Sequence, residues 1–160
     1  MARTWVIDIP VRPKAVQSVR FGGGMVFPDK KVRKWKEAIR PFIRACSPGR
    51  PTAMPVRVKS LRYVFKLPKS AKKAVREYVA AGGTVPYLVK ADVSDNLAKG
   101  LMDVCTGIVF TDDRLVWRVA ETEKVYGLRD GIHVEFEETP DVVLVDGSNV
   151  PSAACAQQRA

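Results

Sequence analysis

The chain has 160 residues, 46% of them hydrophobic and 28% charged, with a formal net charge of +10. That is enough for one domain with its own hydrophobic core, and the composition excludes wholesale disorder. No apolar run reaches signal-peptide or membrane-spanning length, and three widely spaced cysteines suggest no disulfide framework, so a cytoplasmic protein is expected.

The cysteines at 46 and 105 sit among apolar residues and read as core thiols. The only histidine, His133, alternates with Ile132 and Val134 in a strand-like run and reads as structural. With no His or Cys cluster, zinc chemistry is excluded. The charge is unevenly placed: residues 1–90 hold 21 Lys and Arg against 4 acids, and residues 91–160 hold 6 against 13. A basic half of this kind calls for a polyanionic partner, and DNA is the expected one.

In chain order, Thr4 to Ile9 is rich in β-branched and aromatic residues and reads as a strand ended by Pro10. A basic loop with Arg12, Lys14 and Arg20 follows, and Gly22-Gly23-Gly24 marks a hairpin turn. Pro28-Asp29 opens a helix whose apolar stripe is Val32, Trp35, Ile39, Phe42 and Ile43, with Lys30, Lys31 and Lys34 largely off it. Pro41 is expected to kink this helix or restart it.

After a loop from 46 to 55, the alternation from Val56 to Lys66 reads as a long strand with one basic face, bulged near Ser60. Ser70 is placed to cap a helix over 71–81, which brings Lys69, Lys72 and Lys73 together and ends at Gly82-Gly83. Extended chain at 86–89 leads to a helix over 96–106 closed by Gly107. Strands are expected at 115–122 and 132–137, with a short one at 142–145. These elements predict a single α+β domain over residues 1–138, a mixed sheet with two to three helices. Residues 139–160 read as a largely flexible extension.

The distinctive stretch is Asp92-Val93-Ser94-Asp95-Asn96-Leu97-Ala98-Lys99, followed by Asp103 and by Thr111-Asp112-Asp113. On the helix, Leu97, Leu101, Val104, Cys105 and Ile108 share one face, while Asp95, Lys99 and Asp103 run along the other. One reading makes Asp95 an N-cap and Lys99 a bridge between two acids. The other has the link from Gly107 to Thr111 fold Asp112-Asp113 back beside Asp92 and Asp95. Converging aspartates would repel one another unless they hold an oxygen-seeking cation such as Mg²⁺. A divalent ion there polarises a phosphate, lowers the pKa of a bound water and steadies a leaving oxygen, the needs of phosphodiester hydrolysis.

The residues from Asp95 to Lys99, Asp103, and Gly107-Ile108-Val109-Phe110-Thr111-Asp112-Asp113 resemble the signature of RusA-type Holliday junction resolvases. The early strand, the Lys14 to Arg20 loop and the Phe27 to Lys31 entry into a basic helix are similar to the family's N-terminal half, so the resemblance spans residues 4–137. It implies a RusA-like fold and a homodimeric, Mg²⁺-dependent endonuclease, with Mn²⁺ as a substitute, nicking four-way DNA junctions in pairs. Such enzymes serve recombination and repair in bacteria or phage-infected cells.

By position, the resemblance makes Asp95 and Asp113 metal-binding carboxylates and Lys99 the essential lysine. Asp103 and Asp112 match further acidic positions of the motif. The family places its first acid two residues before the Asp-Asn pair, where this chain has Val93; the nearest acid is Asp92, three residues before. A one-residue bulge at Val93-Ser94 would restore its place. Arg12, Lys14, Arg20, Lys30, Lys31, Lys34, Lys69, Lys72 and Lys73 are the expected DNA contacts. Alternatives are a nuclease for flaps or forks and a catalytically weakened junction-binding protein. A single-strand module stacking bases on Phe21, Trp35 and Tyr63 is disfavoured, because Trp35 and Tyr63 fit core stripes.

Overall fold

The computed structural model describes residues 1–16, 29–89 and 92–146, without the side chains of Ser94 and Asp95. The expected hairpin around Gly22–Gly24, Arg20, Phe21 and the chain beyond residue 146 lie outside the described residues.

Strand β1 (Thr4–Ile9) leads to helix α1 (Lys30–Cys46), then β2 (Val56–Lys66), α2 (Lys73–Ala80) and the two-residue β3 (Val85–Pro86). A π turn (Val93–Leu97) runs into α3 (Ala98–Cys105), and a 3-10 turn (Asp113–Leu115) into β4 (Val116–Gly127), before β5 (Gly131–Glu138). One five-stranded mixed sheet results, in the order β1-β5-β2-β4-β3. β2 and β4 are parallel and the other neighbours antiparallel. A parallel pair needs a long crossover, and α2, β3, the π turn and α3 all lie within it. This is the α+β mixed-sheet fold the sequence predicts.

One face of the sheet is covered. Trp5, Ile7 and Ile9 of β1, Leu61 and Tyr63 of β2, and Ile132, Val134 and Phe136 of β5 pack with α1 and α3. The helices supply Trp35, Ile39 and Ile43, and Leu97, Leu101, Val104 and Cys105. Each such side chain contributes roughly 1.5–3 kcal/mol through burial. The bulge near Ser60 is present: the register of β2 against β5 shifts between Val58 and Ser60. It changes which parity faces the core, from Val56 and Val58 to Leu61, Tyr63 and Phe65. Cys105 is fully buried, which pushes its thiol pKa up, and Cys46 packs partly buried against the core.

The other face carries paired charges. Arg57 faces Glu137 and Arg62 faces Glu123 across the strands, and each pair is bridged; Lys59 reaches Glu135 at 2.7 Å. His133 stands opposite Asp8 with its Nδ1 2.7 Å from Asp8 Oδ1.

Several local expectations are corrected. α1 does not restart at Pro41, which lies inside the helix and is exposed, so the Glu37 carbonyl it leaves without a helical donor is on the exposed side. Ser70 does not cap α2. The helix starts at Lys73, and the Arg76 guanidinium donates to the carbonyls of Pro68, Lys69 and Ala71 instead. β4 extends five residues past the predicted end because pairing with β2 carries it to Gly127. No strand forms at 142–145, where Val143, Leu144 and Val145 are exposed.

Candidate active site

Between β3 and α3 the backbone makes an i to i+5 closure: the Leu97 N–H donates to the Asp92 carbonyl at 3.1 Å. A π turn holds one residue more than an α turn and commonly marks functional sites. Here it lets Leu97, Leu101, Val104 and Cys105 keep their apolar spacing toward the core while Asp92 stays exposed at the turn's start. The helical N-cap position is Leu97, so Asp95 lies inside the π turn and is not the cap.

α3 is seated closely. A Cβ on Gly100 would meet Val16 Cγ2 at 2.4 Å and Trp35 Cζ3 at 3.1 Å. The segment after β1 straps over it: Val16 N donates to Asn96 O (2.9 Å), and Trp35 Nε1 donates to Arg12 O (2.9 Å). Lys99 is exposed in the first turn of α3. Asp103, one turn further, accepts from Lys36 Nζ of α1 at 2.6 Å, so it ties the two helices together.

The link after α3 makes a tight turn. Gly107 adopts φ +80°, the left-handed conformation that favours glycine at a helix end, and donates to Phe110 O at 2.7 Å. Thr52, from the loop before β2, clamps the returning chain: its N–H donates to Val109 O and its carbonyl accepts from Thr111 N. The chain then enters the 3-10 turn. Asp112 is its N-cap, accepting from Arg114 N (2.9 Å), Nε (3.0 Å) and Nη2 (2.8 Å). The side-chain and backbone donors of Arg114 lower the Asp112 pKa from 3.8 to about 2. Asp113 is exposed. The π turn packs against β4, and α3 packs against the 3-10 turn that carries Asp113.

The donor chemistry here is hard oxygen, suited to Mg²⁺ rather than to softer metals. Among the described residues no three His, Cys, Asp or Glu side chains form a metal-holding group; Asp95, at the centre of the motif, has its side chain outside that set. Asp92 and Asp113, on either side of it in the sequence, are exposed; Asp103 pairs with Lys36 and Asp112 with Arg114. The surface concavities lined by Asp8, Phe42 and Arg129, and by Ser60, Arg62 and Glu121, include none of these acids. Asp92, Asp103 and Asp113 are exposed, and Asp112 is partly so.

Of the expected DNA contacts, Lys30, Lys31 and Lys34 are exposed on α1, and Lys69, Lys72 and Lys73 around α2, with Lys73 3.6 Å from Glu77. Lys14 is partly exposed. Arg12 is already engaged, bonded to Asp130 at 3.1 Å and stacked over Phe65. Trp35 and Tyr63 are buried, which removes them as stacking platforms. Thr52, Gly100 and Arg114 were not singled out by sequence reasoning. Gly100, on the apolar side of a helix, is the one that carried a readable signal.

The architecture is that of a small α+β protein with carboxylate-bearing turns beside one helix and an excess of exposed lysines. Residues 8–137 match the endodeoxyribonuclease RusA family, most of the chain, and the protein belongs to that family. It is thus a member of an enzyme family that cuts DNA and acts on Holliday junctions. No curated protein matches the chain significantly. No helix among the described residues is long and apolar enough to cross a membrane.

Proposed function

We propose that this chain is a Mg²⁺-dependent Holliday junction resolvase, with Asp92, Asp95 and Asp113 as the metal-binding carboxylates and Lys99 as the essential lysine. The observation that carries the reading is the π turn. It adds one residue of backbone where this sequence has one more residue than the family motif, and so supports Asp92 as the counterpart of the family's first acid. Bound there, Mg²⁺ would polarise the scissile phosphate and lower the pKa of the attacking water.

The chain's own residues supply the rest. Lys99 follows the π turn and sits on the exposed side of α3, where its ammonium can meet charge developing on the phosphate. The exposed lysines of α1 and those around α2 attract the DNA backbone without reading bases, which suits recognition by shape. A homodimer provides two equivalent sites related by two-fold symmetry, matching paired nicks on symmetric strands.

The test uses purified protein with a synthetic four-way junction and a matched linear duplex, with and without Mg²⁺, and Asp92→Asn beside wild type. Paired nicks confined to the junction, dependent on Mg²⁺ and lost in the variant, are expected. Tight, metal-independent junction binding without cutting would replace this reading with that of a junction-binding protein, and cutting of flaps or forks in preference would change the substrate.

A further inference from the structure

We propose that Arg114 is a phosphate-contacting residue of the cleavage site, held in place by Asp112, its fork presented to DNA beside Asp113. The inference rests on the resolvase reading and adds to it a contact made by a residue outside the acid and lysine motif.

The geometry is specific. Asp112 Oδ1 accepts from both the backbone N–H and Nε of Arg114, and Oδ2 accepts from Nη2. The turn is closed beneath them by Leu115 N donating to Asp112 O at 3.2 Å and by Val116 N–H donating to Asp113 O. The guanidinium is thus fixed by its Nε edge two residues along from its anchor. Of its five N–H donors, two go to Asp112, and three remain on a side chain that is 86% exposed.

An exposed pair of this kind adds little to stability. What it provides is orientation: a rigid planar fork suited to the two non-bridging oxygens of a phosphodiester. The Asp112–Arg114 pair is also neutral as a unit, so Asp113 is the net charge this turn presents to an incoming cation. Three cations of β2 differ. Arg57, Lys59 and Arg62 are each absorbed by a glutamate on the paired face of the sheet. Arg114 instead directly follows an exposed motif acid.

The experiment compares wild type, Arg114→Ala, Arg114→Lys and Asp112→Asn on four-way junctions in which single phosphates around the cut are replaced by neutral methylphosphonate. Single-turnover cutting in saturating Mg²⁺ and equilibrium junction binding are both read, with thermal melting as the folding control. Arg114→Ala should lose about tenfold in rate or affinity on the all-phosphate junction, as expected for a charge-assisted hydrogen bond. One methylphosphonate position should cost wild type a similar factor and cost Arg114→Ala nothing more. Arg114→Lys should fall between, and Asp112→Asn should lose less than Arg114→Ala.

Losses that multiply at every substituted phosphate, or an Arg114→Ala protein within twofold of wild type, would overturn the assignment. If wild type binds but does not cut, the resolvase reading fails while the binding arm still decides Arg114. Absence of junction binding by wild type would overturn both.

Discussion

The Leu97 amide reaches back five residues to the Asp92 carbonyl, 3.1 Å away, instead of the four an α-helix would take. That single closure decides where an acid three residues before Asp95 stands relative to α3. If the π turn accommodates one surplus residue, removing that residue should be tolerated. Deletion of Val93 is expected to convert the turn to α geometry, keep the far-UV spectrum and retain at least about a tenth of junction cutting. A deletion protein that folds but does not cut would show that Asp92 works only in the π turn or does not work at all.

Asp95→Asn or Asp113→Asn should abolish cutting, by more than about 100-fold, while junction binding holds or tightens because a negative charge facing phosphate is gone. Lys99→Ala should behave likewise in cutting. Gel-shift affinity and circular dichroism beside the cleavage assay separate this from a structural role, in which binding and helix signal would fall together.

The two basic surfaces should separate in salt dependence. Replacing Lys30 or Lys34 with Ala is expected to lower the slope of log affinity against log salt by about one each. Replacing Lys59 with Gln should leave the slope unchanged, because Glu135 already pairs with that ammonium at 2.7 Å. Fluorescence anisotropy on a labelled junction across a salt series reads both.

Gly100→Ala should destabilise the protein by roughly 1–3 kcal/mol, since the new methyl meets the stiff, buried side chain of Val16 at 2.4 Å. Urea unfolding checks it. Val16→Ala in the same protein should recover part of the loss by making room.

Glu138 gives the fold a pH dependence of known sign. Burial alone would raise its pKa, but donors from Thr52 and Arg3 outweigh this and hold it below the ordinary 4.5. A carboxylate with a depressed folded pKa stabilises the protein above its unfolded pKa, and that contribution disappears as pH falls through the depressed value. The stability of wild type should therefore decline in acid below about pH 4.5 more steeply than that of Glu138→Gln, measured by urea midpoints across the acid range.

Much of the scaffold was legible because its signals are local. β1 and β2 begin and end where their alternation does, and the stripe of Trp35, Ile39 and Ile43 marks the buried face of α1. The misplaced features depend on partners distant in sequence. Pro41 is tolerated because its side of α1 faces water, and β4 outruns its own pattern because β2 pairs with it to the end. The 142–145 run has strand-forming residues, yet forms no strand among the described residues.

The α+β class, the uneven charge and the order of the acids can be read from the chain alone, since these need only composition, periodicity and spacing. Tertiary structure decided what each charge is doing. Arg57, Lys59 and Arg62 are neutralised by acids more than 60 residues away in the chain, Asp103 is claimed by Lys36, and Asp112 serves Arg114. A charge's availability is set by what packs within a few ångströms of it, which depends on strand register and helix docking rather than on neighbours in sequence.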